Sequence, residues 1–263
     1  MLRKIHEAHF TGIEVLLGPK VDHAKIRTLA QTHGLSINWH EIWSLTDNPT
    51  HHVNYLLAAL GRIPWKTHPL NSQLPLALSE PVVCYGHRIE EVLGYRDTKL
   101  LWLQTCKVMS RHLPYKEFVK LVQRYRLPIV FDTQHVLEWM CDANGVTELG
   151  RLHSSEELQR LLLKAWDDLS PYTEEIHVVN FKPQDGHTRG RNIFLNEGGV
   201  LKLREFGRVV KKSDWNGTIT PEIAPAHFST LRIPGVPINL LWESEHLGHR
   251  LLELREIVGG IFS

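Results

Sequence analysis

The residues best placed to do chemistry in this chain close short apolar runs. Between Arg126 and Trp139, Ile129, Val130 and Phe131 follow Pro128 and lead into Asp132, with His135 about one helical turn beyond. A continuous apolar run after a turn signal suits a strand buried on both faces of a parallel sheet. Asp132 then stands at the strand's C-terminal end, where a carboxylate and an imidazole can form half of a divalent-metal site. The plainer alternative is that Asp132 caps the following helix and His135 is an ordinary surface residue. Three other runs end the same way: Leu101-Trp102-Leu103 delivers Gln104, Glu175-Ile176 delivers His177, and Thr218-Ile219-Thr220-Pro221 delivers Glu222. In a parallel barrel those ends share one rim, so the four donors could face a common point. Carboxylates and an imidazole suit Zn²⁺, Mn²⁺, Co²⁺ or Mg²⁺, with the amide of Gln104 a weaker neutral donor. Buried polar groups also need partners, so Gln104 and His177 could instead satisfy one another.

The elements that must position these residues alternate. Strands are expected at Ile13–Leu17, Leu35–His40, Pro81–Tyr85, Lys99–Thr105, Ile129–Asp132, Glu175–Phe181 and Gly217–Ile223. Helices are expected over Val21–His33, closed by Gly34, and over Pro114–Tyr125, Ser154–Leu169, Val200–Lys212 and Leu240–Ile257. Ser-Ser-Glu-Glu at the start of the Ser154 helix is a capping-box signal. Met1–Phe10 carries Leu2, Ile5 and Ala8 at helical spacing, with no strand before it. Glu41–Leu78 is broken by Pro49, Pro64, Pro69 and Pro75 into loops of the kind that barrel enzymes use for lids and pockets. Strands alternating with helices, with no internal linker, predict an α/β fold: one TIM-type (β/α) barrel over residues 1–263. Seven strands are recognisable against the usual eight, so the barrel is expected to lack its first strand. A doubly wound open sheet is the runner-up, weakened because no Gly-x-Gly-x-x-Gly follows the first strand.

Composition narrows the function. The 263 residues are 42% hydrophobic and 22% charged, ordinary for a globular protein, and the net charge of +1 supplies no global field for nucleic acid. Cys84, Cys106 and Cys141 are far apart, which argues for reduced thiols in the cytoplasm. No signal peptide or membrane-spanning stretch is expected, and a cytoplasmic protein is. Trp39, Trp43 and Trp102 lie near strand ends, where flat rings suit either sugar stacking or core packing. Glu14 could face the barrel interior or pair with a helix lysine.

Several segments together resemble the xylose-isomerase-like barrels, which include sugar (phosphate) isomerases and epimerases and the apurinic endonucleases. Phe131-Asp132-Thr133-Gln134-His135 looks like that family's Asp-Thr-x-His segment. Glu175-Ile176-His177-Val178 resembles its next strand, and Thr218 to Ile223 its last, which ends in a metal-binding Glu. Gly12-Ile13-Glu14-Val15 matches a Gly-x-Glu strand end, and Arg191 with Asn196-Glu197-Gly198 the loop between the last two strands. The resemblance implies a divalent metal held by Asp132, His177, Glu222 and, in place of a Glu, Gln104. It implies Glu222 as base, and His135 as a catalytic neighbour or an additional ligand. Arg191 and Lys182 would bind an anionic group of the substrate, and His40, Trp102 and His87 would also face it. Tyr85-Gly86-His87 stands where the endonucleases have His-Pro-Gly, so the endonuclease cluster is incomplete.

The leading expectation is a metal-dependent sugar isomerase or epimerase acting by proton transfer on a sugar or sugar-phosphate-like substrate. A barrel that has lost catalysis and serves as a binding or structural protein is the alternative, motivated by Gln104, Tyr85 and the absent strand. An apurinic-type endonuclease comes third, disfavoured by the neutral charge. Nucleic acid and membrane partners are not expected; a homo-oligomer is left open.

Overall fold

Parallel strands wound in chain order make the scaffold. The computed structural model describes residues 2–16, 22–40, 80–86, 89, 93, 100–106, 113–143, 145–182, 191–193, 195, 198–221 and 245–263. They belong to two compact units, Gly12–Val130, and Met1–Thr11 with Phe131–Ser263. The chain opens with α1 (Leu2–Glu7), part of the latter.

In the Gly12–Val130 unit, β1 (Gly12–Leu16) leads through α2 (His23–Thr32) to β2 (Ser36–His40). Asp22 starts α2 by accepting from the Lys25 amide at 3.0 Å, and Gly34, at φ +66°, turns the chain back toward β2. β3 (Val82–Tyr85) and β4 (Leu101–Gln104) follow in parallel register, with Glu14 opposite Asn38, His40 opposite Val83 and Tyr85 opposite Gln104. Arg27 of α2 forks onto Glu80 at 2.6 and 2.8 Å, and Glu80 also accepts from the indole of the buried Trp39 at 3.3 Å. The hydrogen-bonded carboxylate holds the Arg27 pKa above its ordinary value despite partial burial. This bracket ties α2 and β2 to the residues just ahead of β3. Next, α3 (Tyr115–Tyr125) buries Tyr115, Phe118, Val119 and Val122, a spacing that lines one helix face. Arg126 ends it in the left-handed region, φ 51°, and the chain enters β5 (Ile129–Asp132), whose start pairs with β4.

The other unit takes β5 onward through α4 (His135–Met140), α5 (Val146–Leu152), α6 (Ser155–Leu169), β6 (Thr173–Val178), β7 (Asn180–Lys182), β8 (Arg191–Ile193), α7 (Leu203–Lys212), β9 (Thr218–Pro221) and α8 (Glu245–Ile261). Ser154 caps α6 by accepting from the Glu157 amide at 3.2 Å, as its sequence signals. An aromatic core joins three elements of this unit. Phe131 of β5 meets Trp166 of α6 edge-on at 5.3 Å and stacks on Phe206 of α7 at 5.8 Å.

Hydrogen bonding orders seven strands as β1-β2-β3-β4-β5-β6-β9 in one sheet. The order never reverses, which excludes the doubly wound arrangement and its switch point. The described residues form a singly wound (β/α) barrel of seven parallel strands. Among the described residues, hydrogen bonds do not seal the seam from β9 to β1.

One expected strand is divided. Glu175–Phe181 breaks at Val179, because the Thr133 hydroxyl donates to its carbonyl at 2.8 Å and accepts from its amide at 2.9 Å. Asn180 then bonds both backbone groups of Leu201, so β7 leaves the sheet and pairs antiparallel with β8. That places β8 between the expected strand Glu175–Phe181 and the expected helix Val200–Lys212. The terminal helix also runs to Ile261, past the expected Ile257. Among the described residues, no helix is long and apolar enough to cross a membrane.

Gly207 supplies a test of the packing of α7 on α8. A glycine inside a helix normally costs about 1 kcal/mol relative to alanine. Here an added Cβ would overlap the backbone carbonyl oxygen of Ile261. Gly207→Ala is therefore expected to lower stability by about 1–3 kcal/mol, the range for overpacking. A urea midpoint that rises instead would show the two helices to be further apart.

Candidate functional site

Asp132 closes β5 and is wholly buried. Its Oδ1 accepts from the amides of Gln134 at 2.8 Å and His135 at 2.7 Å, which starts α4 as a cap does. Its Oδ2 faces the other way, 3.9 Å from Nδ1 of His177. The two roles of the carboxylate are divided between its oxygens.

His177 and Glu175 are two residues apart on β6 and so share a face of the strand. Both are fully buried. Glu175 Oε1 lies 3.8 Å from His177 Nε2 and also accepts from the hydroxyl of Thr220, which stands opposite His177 on β9. The imidazole thus has a carboxylate beyond each nitrogen, both outside direct hydrogen-bond distance. Backbone bonding fixes the arrangement, since the Thr133 amide donates to the His177 carbonyl at 3.1 Å. Glu175 was missed in the sequence reading. The available signal was a second acid at i−2 from a histidine in an apolar strand.

In the Gly12–Val130 unit, the ends of β2, β3 and β4 carry a second polar group. His40 Nε2 lies 3.1 Å from Gln104 Oε1, with both residues buried. Tyr85, opposite Gln104, meets the His40 ring edge-on at 5.6 Å. Trp102 lies two residues before Gln104 on the same face of β4. Gln104 therefore hydrogen-bonds His40. With an ordinary amide orientation, His40 Nε2 donates and its Nδ1 holds the lone pair.

Among the described residues of the Gly12–Val130 unit, Glu14 and His40 offer ligand atoms within 4.8 Å of each other. Carboxylate and imidazole are donors that suit a divalent ion, and imidazole favours a transition metal over Mg²⁺.

The remaining expected residues fall as follows. His135, half-buried, places Nδ1 2.8 Å from Glu138. Lys182 and Arg191 are partners in the β7–β8 register, so two basic positions stand directly opposite each other. Glu222, His87 and Trp43 lie outside the described residues, as do Asn196 and Glu197.

No family model matches the chain, and neither does any curated protein. Solved structures similar to it include AP endonuclease family 2 from Brucella melitensis, at 15% identity and TM-score 0.49, covering 84% of this chain and 85% of that one. A D-allulose 3-epimerase from a Methylomonas species, in complex with D-allulose, matches at 17% identity and TM-score 0.46, covering 97% and 88%. Endonuclease IV from Thermus thermophilus matches at 15% identity and TM-score 0.48, covering 98% and 93%.

Proposed function

We propose that this chain is a divalent-metal-dependent sugar isomerase or epimerase that moves a proton at a carbon next to a carbonyl. The observation that carries the reading is the buried imidazole of His177 with Asp132 at Nδ1 and Glu175 at Nε2. Burying two carboxylates is expensive, and clusters of such groups concentrate where chemistry is done.

His177 would hold the ion. When bound, the metal supplies Lewis-acid polarisation of a carbonyl or hydroxyl. The protein's own groups do the rest. Asp132, 3.9 Å from His177 Nδ1, would be the carboxylate behind the metal-binding imidazole. Glu222, on the chain just after β9, is assigned the role of base, and His135 that of a second proton-transfer group. Lys182 and Arg191 are assigned to an anionic substituent such as a phosphate, and Trp102 to an apolar sugar face.

A second reading has its own observation. Gln104 gives the site an amide that bonds His40, where a carboxylate would add charge and a possible base, and such a rim suits a barrel that binds a polyol without transforming it. Solvent deuterium exchange separates the two. Incubated in D₂O with Mn²⁺, Co²⁺ or Zn²⁺ and a panel of ketoses and ketose phosphates, an isomerase or epimerase labels the carbon beside the carbonyl. Binding without labelling across the panel would replace the first reading by the second.

A further inference from the structure

His135 occupies the first turn of α4, and its Nδ1 lies 2.8 Å from Glu138 Oε2. The other oxygen of Glu138 accepts from the Gln134 amide nitrogen at 2.9 Å. The support is covered more deeply than the ring it holds: the Glu138 side chain is 12% exposed, that of His135 28%, and Gln134 only 8%. An ionised carboxylate can only accept, so the proton of the neutral ring belongs on Nδ1 and the lone pair on Nε2. The same logic orients Gln134. Turning its amide over would set two oxygens against each other, and in the orientation it keeps, its own oxygen is buried without a partner among the described residues. One acceptor goes unsatisfied so that Glu138 is held at both oxygens, which a solvated pair on a helix surface would not require.

We infer that Glu138 is a positioning residue that locks His135 as the Nδ1–H tautomer, making Nε2 the atom able to take a proton from a substrate. The use of Nε2 rests on the isomerase reading; the tautomer stands apart from it.

Nitrogen-15 histidine NMR tests this without metal or substrate. At a pH where the rings are neutral, the spectrum of the intact protein should show His135 with a pyrrole-type Nδ1 and a pyridine-type Nε2, assigned by its disappearance in His135→Gln. In Glu138→Leu the ring should shift toward the Nε2–H form that a solvated imidazole prefers, with an unchanged far-ultraviolet spectrum. An Nε2–H ring in the unaltered protein overturns the inference even if the variant does not fold, and so does an unchanged tautomer in a folded variant. Absence of metal binding or isomerisation would sink the isomerase reading and leave this result standing; an Nε2–H ring would do the reverse.

Discussion

Replacing His177 by leucine is expected to lower stability by about 3–5 kcal/mol, the cost of removing one partner from a buried charged group. Leucine fills much the same volume, so the loss would not come from a cavity. It would come from Asp132 and Glu175, both wholly buried, each losing the His177 ring beside it. Their other partners do not vanish. Asp132 keeps two backbone donors and Glu175 keeps Thr220, which makes the lower half of the range the expected value. Urea unfolding followed by circular dichroism measures it. A change below about 1 kcal/mol, the size of an ordinary surface effect, would show that neither carboxylate depends on the ring.

The pair Asp132→Asn and Asp132→Ala should separate two roles of one side chain. Asparagine caps a helix about as well as aspartate, so the first variant keeps an acceptor for the Gln134 and His135 amides. What it loses is the charge beside His177 Nδ1. Metal affinity is therefore expected to fall about 10–100-fold, the usual effect of altering the group behind a ligating histidine, with stability nearly kept. The upper end is favoured. An amide that presents its NH₂ to Nδ1 drives the ring proton onto Nε2, the nitrogen facing Glu175. Asp132→Ala should show the same affinity loss and, in addition, about 1 kcal/mol less stability from the lost cap. Equal affinity in both variants and the unaltered protein would reduce Asp132 to a cap.

The barrel was legible because its signals are local: apolar runs closed by glycine and proline, helices with caps, and strands too short for anything but alternation. Even the count of seven parallel strands, which the described residues form, could be read. The break at Val179 could not. It depends on the Thr133 hydroxyl, 46 positions away in sequence, capturing backbone groups that a strand would otherwise use. The site was legible in part for the same reason. Polar residues at the ends of apolar strands marked Asp132, His177 and Gln104, but spacing alone cannot tell which polar group meets which. Gln104 hydrogen-bonds His40, on a strand that is not its sheet neighbour. Asp132 offered a choice between cap and site residue, and no sequence pattern shows that its two oxygens face different ways. Glu175 went unnoticed because an acid early in a strand usually faces water, whereas here it is buried on β6 beside β9.

The central claim is that His177 anchors a divalent-metal site, and metal titration tests it most directly. Protein stripped with chelator and titrated calorimetrically with Mn²⁺, Co²⁺ and Zn²⁺ should bind about one equivalent of at least one of them, with proton release as ligands deprotonate, and His177→Leu should lose that binding while remaining folded. Less than about a tenth of an equivalent in the unaltered protein, or undiminished binding in the variant, would contradict it.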